Sequence, residues 1–205
     1  MSGDIMAKRF DESDRLSMDI ISGSMYSLNF LRNISVAIID QNIQDMTVRA
    51  FHAAWLKKAK STDRSVPYCL GSIVGYLYCG ILLSKECWYD LLPDEPLENA
   101  PPEWGFAGAK YNSPKKPKPT IKYVVRRIRN ALGHGNIKIN VPHNLDYRKD
   151  EVDFERRILI RFYDEDYQDK SDVFDIEMSI KDLSALVKMF QSFVYPQIIN
   201  GMEKG

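Results

Sequence analysis

The chain has 205 residues, 44% of them hydrophobic, and its 28 basic residues balance 28 acidic ones to a net charge of zero. This is enough chain for one or two domains with a genuine core, which excludes a coreless polyelectrolyte. Cys69, Cys79 and Cys87 are odd in number and lack metal-ligand spacing, so they read as buried or free thiols of a reducing compartment. Met1 to Asp14 is polar and charged, unlike a secretory signal, and a cytoplasmic location is expected.

Leu16 to about Asn42 is predicted as a long helix, with Leu16, Ile20, Leu28, Leu31, Ile34 and Ile38 near helical spacing. Met46 to about Lys60 gives a second helix whose basic end suits the helix dipole. Its His52 reads as a packed or surface histidine rather than a ligand. Ser65 to Ser84 carries no charge and contains Gly71-x-x-x-Gly75, which invites a membrane reading. The run is interrupted by Pro67 and by tyrosines, so a central helix whose glycines permit close packing is the preferred assignment, ending near Tyr89. A proline-rich and lysine-rich loop follows from Leu92 to Pro119 and is treated as an insertion.

Thr120 then opens a basic helix. Ile121, Val124, Val125, Ile128 and Leu132 form one apolar face. Arg126, Asn130 and His134 recur at i, i+4 and i+8 as a separate polar stripe, with Arg129 beside it. Gly133 and Gly135 offer left-handed positions at the helix end, where a histidine is also a common capping residue. The stretch from Trp104 to Leu145 contains no acidic residue, while Lys110, Lys115, Lys116, Lys118, Lys122, Arg126, Arg127, Arg129 and Lys138 lie within it. Such a one-signed run fits a polyanion ligand, and equally a solvated basic helix beside a linker.

Beyond the helix, Ile137 to Val141 alternates as a short strand, with His143 unassigned in the turn after it. Arg157 to Asp164, with Ile158, Ile160 and Phe162 on one side, and Val173 to Met178 are predicted to form a hairpin across Glu165 to Asp172. Ser179 and Asp182 resemble a capping box that starts a last helix through Leu183, Leu186, Phe190 and Val194.

Arg129-Asn130-Ala131-Leu132-Gly133-His134-Gly135, on the penultimate major helix of a mostly helical chain, resembles the HEPN superfamily. These are small helical-bundle proteins, many of them ribonucleases of toxin, phage-defence and CRISPR systems. Their signature is an arginine, four to six residues, then a histidine, often with a polar residue directly after the arginine. Arg127 with His134 also satisfies the spacing, but Asn130 directly after Arg129 decides for the shorter register. The resemblance covers roughly Leu16 to Asn200. It implies a mainly α fold: a HEPN-like helical bundle with a small hairpin or sheet between the motif helix and the C-terminal helix, as a single domain over 1–205.

The resemblance further implies metal-independent RNA cleavage in a cleft shared by two copies of the chain. Arg129 would hold the scissile phosphate, His134 would act as general acid or base, and Asn130 would position a group by hydrogen bonding. Arg126 and Arg127 would bind flanking phosphates, with Lys118 and Lys122 on the same RNA surface. No cofactor and no metal are expected, because three scattered histidines and no paired carboxylates near the motif offer no metal cage. RNA, a second copy of the chain and an antitoxin protein are the implied partners, without a membrane. Two other classes stay open: a non-catalytic module binding nucleotide, nucleic acid or protein, and a peripheral membrane protein using the uncharged helix. No nucleophile sits in a turn motif of serine or cysteine hydrolases.

Overall fold

The computed structural model describes residues 45–58, 70–82, 84, 86–143 and 154–202, with isolated positions between 27 and 40. The chain forms two compact units, Met1–Tyr76 and Leu77–Gly205. The fold is mainly α with a small four-stranded antiparallel sheet, as the sequence leads one to expect.

In the first unit, positions 30–34 and 36–37 are helical and belong to the predicted first helix. The rest of that helix, and the polar opening Met1 to Asp14, lie outside the described residues. Helix α1 (Val48–Lys58) begins after Thr47, whose hydroxyl accepts from the Ala50 amide at 3.2 Å. Trp55 is buried and meets Phe30 edge-on, with ring centroids 4.8 Å apart. His52 stacks on Trp55 at 5.7 Å, so it is a packed histidine.

Within the uncharged segment and just after it the described residues form α2 (Leu70–Leu82) and the turn α3 (Glu86–Tyr89); the predicted start at Ser65 lies outside the described residues. Cys69 lies outside the described residues, while Cys79 and Cys87 are free and exposed. Among the described residues no helix is long and apolar enough to cross a membrane. The close packing expected of its glycines occurs in the second unit at Gly80, where a Cβ would lie 2.5 Å from Val187 Cγ1.

The loop Leu92 to Pro119 is not a structureless insertion. It contains two 3-10 turns, Leu97–Asn99 and Pro102–Trp104, and the edge strand β1 (Lys110–Asn112). Leu97, Trp104 and Phe106 are buried, and Trp104 packs against Phe193 at 5.8 Å. Gly105 has φ +75°, and a Cβ there would lie 2.2 Å from the Asp182 carbonyl oxygen, so only glycine lets this loop close on the following helix.

Helix α4 (Ile121–Gly133) starts where predicted, after Thr120, which caps it: the Tyr123 amide donates to Thr120 Oγ1 at 3.3 Å. Ile121, Val124, Val125, Ile128, Ala131 and Leu132 are all buried, and this face packs on strand β3. Each such aliphatic side chain contributes about 1.5–3 kcal/mol of hydrophobic stabilisation. The helix ends in a Schellman turn: Gly135 N–H donates to Leu132 O at 3.1 Å and Asn136 N–H to Ala131 O at 2.8 Å. Gly135 takes the left-handed conformation with φ 70°, whereas Gly133 remains helical. Only one of the two glycines therefore plays the part the sequence offered to both.

The sheet has the order β1-β4-β3-β2, with β2 at Ile137–Asn140, β3 at Leu159–Glu165 and β4 at Val173–Ser179. The predicted hairpin is β3 with β4, in register from Leu159 opposite Ser179 to Glu165 opposite Val173. Asp166 shapes its tip, accepting from the amides of Gln168 at 2.8 Å and Asp169 at 3.0 Å. A single turn, α5 (Phe154–Arg157), precedes β3. The Asp182 amide donates to Ser179 Oγ at 3.1 Å, and Ser179 Oγ–H donates to Asp182 Oδ2 at 2.7 Å. That is the capping interaction read from the sequence, and it opens α6 (Ile180–Met202).

The two motif glycines separate by their backbone. Gly135→Ala places a side chain in a left-handed turn and is expected to lower stability by about 1–2 kcal/mol. Gly133→Ala, whose Cβ would meet only Leu82 Cδ2 at an ordinary 3.7 Å, is expected to be neutral or stabilising by up to about 1 kcal/mol. Urea denaturation of the two variants beside the parent measures the difference.

Candidate active site

The site is built where the last turn of α4 crosses the start of the β3–β4 tip. Helical spacing puts Lys122, Arg126, Asn130 and His134 along one line of α4, and the Schellman turn brings the chain straight into β2. His134 is the C-cap residue and is exposed; its backbone N–H donates to Asn130 O at 2.9 Å. The turn is held from the other side by Tyr163 N–H donating to Asn136 O at 3.0 Å. The histidine backbone is thus fixed by both the helix and the sheet.

Arg129 and Asn130 touch. Arg129 Nη1 donates to Asn130 Oδ1 at 3.3 Å, and Asn130 Nδ2 donates to Asp164 Oδ2 at 3.4 Å. The neighbours dictate this amide orientation: a guanidinium only donates and an ionised carboxylate only accepts. Asp164, on β3, is 3% exposed. Burial raises its carboxyl above the ordinary carboxylate range; Arg127, Asn130 and the charge of His134 oppose this, and Asp166 adds to it.

The structure corrects the reading of Arg127. It does not face solvent as a phosphate ligand but is buried, with 8% of its side chain exposed. Nε lies 2.7 Å from Asp164 Oδ2, and Nη1 lies 3.3 Å from Asp172 Oδ2. Nη2 donates to the carbonyls of Asp164 at 3.0 Å and Asp172 at 2.9 Å. The guanidinium also lies against the rings of Tyr123 and Phe174, at 5.6 and 5.9 Å. These contacts engage the guanidinium within its own chain.

Four other cations of the one-signed run also meet acids from elsewhere. Lys118 pairs with Glu98 at 2.8 Å, and Lys115 pairs with Asp169. Lys122 and Arg126 share Asp90 at 3.1 and 2.8 Å, and together, Lys122 foremost, they hold the Asp90 carboxyl below the usual carboxylate range. These pairs are solvent-exposed and worth little, so a polyanion could compete for them. The linear surplus of charge is nevertheless much reduced by folding. His143 is exposed after β2 and joins no cluster described here. Among the described residues no group of His, Cys, Asp and Glu side chains is arranged to hold a metal ion.

Asp164 is the member of this cluster that sequence reasoning passed over. Its signal is phase: it follows Ile158, Ile160 and Phe162 at every second position, so the alternation that buries those three also points Asp164 inward. A carboxylate on the buried face of a strand requires a partner.

The family described as HEPN pEK499 p136 matches residues 12–200, which runs through both compact units, and the chain belongs to this HEPN family. Comparison with curated proteins gave no match, and comparison with solved structures gave none.

The different surroundings of the two neighbouring arginines give a direct test. Arg127→Ala leaves Asp164 buried without its cation and is expected to cost about 3–5 kcal/mol of stability. Arg129→Ala is expected to cost about 1 kcal/mol or less. Thermal and urea unfolding of both variants would show the contrast, and equal losses would contradict these assignments.

Proposed function

We propose that this protein is a metal-independent endoribonuclease of HEPN type, acting in a toxin or phage-defence setting in the cytoplasm. The reading treats 1–205 as one HEPN-like domain built on a helical bundle. The observation that carries it is the meeting of Arg129, Asn130 and His134 at one helix end, in a chain whose family is HEPN.

The ribose 2′-oxygen attacks the adjacent phosphorus, and the bond from phosphorus to the 5′-oxygen breaks. One His134 takes the 2′-hydroxyl proton and a second protonates the departing 5′-oxygen, leaving a 2′,3′-cyclic phosphate and a 5′-hydroxyl. One chain supplies a single His134, so the reading places two copies about a two-fold axis with their motifs facing one cleft. Arg129 compensates the charge that builds on the phosphate oxygens. Lys118, Lys122 and Arg126 contribute to an RNA-binding surface by exchanging their exposed carboxylate partners for phosphates; Arg127 has no such part. An antitoxin protein is a further partner under this reading.

Incubation of the purified protein with total RNA in EDTA tests the proposal. Wild type is expected to cleave at an undiminished rate in the chelator. His134→Ala and Arg129→Ala are expected to lose about 10²–10⁴-fold in rate while remaining folded, and Asn130→Ala to lose less. Cleavage that persists in the His134 variant, or that vanishes with EDTA, would overturn the mechanism and favour a non-catalytic binding module.

A further inference from the structure

Asp164 lies outside the Arg-Asn-His motif, on a different element, yet it is joined to Asn130 and through Asn130 to Arg129. Its carboxylate is buried between Arg127, which neutralises it from below, and the polar end of α4. Oδ2 accepts from Asn130 Nδ2 at 3.4 Å, and the opposite end of that amide accepts from Arg129 Nη1 at 3.3 Å. We propose that Asp164 is the positioning residue of the site: through Asn130 it sets the direction of the Arg129 guanidinium.

The geometry has a direction. Asp164 cannot turn away, because β3 is paired on both sides, with β2 and with β4, and because Arg127 also holds the Asp164 carbonyl. Asn130, with a carboxylate on one side and a guanidinium on the other, has one favourable amide orientation. Arg129 is the only one of these groups on a long flexible stem, so it gains most from being held. The charged and titratable groups around the carboxylate are Arg127 and His134 from α4 and its cap, and Asp166 and Asp172 from the hairpin, with Arg129 one amide away. The sheet carries the carboxylate to a helix end that a helix-only bundle would leave to solvent.

This inference rests on the endoribonuclease reading for its kinetics but not for its structural content. The test compares wild type, Asp164→Asn, Asp172→Asn and the double variant Arg127→Gln/Asp164→Asn. The double variant removes both charges of the buried pair and so keeps the question answerable if the single variant fails to fold. Asp172→Asn is the control, since it also takes a carboxylate from Arg127 but does not touch Asn130.

A misplacement of about 1 Å in a catalytic group costs about 10²-fold. The folded Asp164 variants are therefore expected to lose about 10²-fold in kcat with KM changed less than about threefold. Asp172→Asn should keep the wild-type kcat and KM. Independently of activity, NMR should show the Asn130 side-chain amide protons losing protection in the Asp164 variants. If wild type cleaves no RNA, the endoribonuclease reading fails while the NMR comparison still decides the role of Asp164. If folded Asp164 variants match wild type in kcat and in the Asn130 amide signal, the positioning role is wrong.

Discussion

The buried ion pair between Arg127 and Asp164 is the constraint around which the second unit is arranged. A guanidinium moved out of water without partners is costly by several kcal/mol. Here its donors meet two carboxylates and two carbonyls, all from the strand ends that flank one hairpin tip. The pair locks α4 to β3 and β4 in one angular register, which apolar contacts alone leave less sharply defined. The remaining polar capacity of Asp164 is then turned outward toward Asn130. Packing and the candidate site meet at one carboxylate oxygen, Asp164 Oδ2, which faces both Arg127 Nε and Asn130 Nδ2.

Charge in the sequence and charge on the surface are different quantities in this protein. Read along the chain, Lys110 to Lys138 is uniformly basic. In the folded chain, Lys115, Lys118, Lys122, Arg126 and Arg127 each meet a carboxylate brought from at least twenty residues away. Four of these pairs are exposed and exchangeable, and one is not. Linear charge alone therefore does not distinguish the buried Arg127 from its exposed neighbours.

Much of the fold was legible because its signals are local. The apolar stripe Ile121, Val124, Val125, Ile128 and Leu132 marked α4, Thr120 marked its start, and alternation around Ile160 and Ile176 marked the hairpin. Ser179 with Asp182 marked the last cap. The elements that escaped depend on distant partners. Strand β1 is three exposed residues with no alternation to detect, and it exists through its pairing with β4. Arg127 lies three residues after Val124 and four before Ala131, so its place on the buried face was available from helical phase. Its charge argued the other way, and the acids that resolve the conflict lie 37 and 45 residues further on. The motif itself was found because Arg129, Asn130 and His134 are close in sequence; Asp164 was not, because its link to them is made only by folding.

Arg127 also behaves as a caliper. Nη2 spans the carbonyls of Asp164 and Asp172, the two points where the hairpin leaves its paired strands for the tip. Whatever the intervening residues are, those two oxygens must stay one guanidinium nitrogen apart. Variation in the tip is thereby separated from variation at its base: residues such as the fully open Tyr167 can change identity, while a shift of either strand by one position would unseat the arginine. The hairpin is free in composition and fixed in gauge.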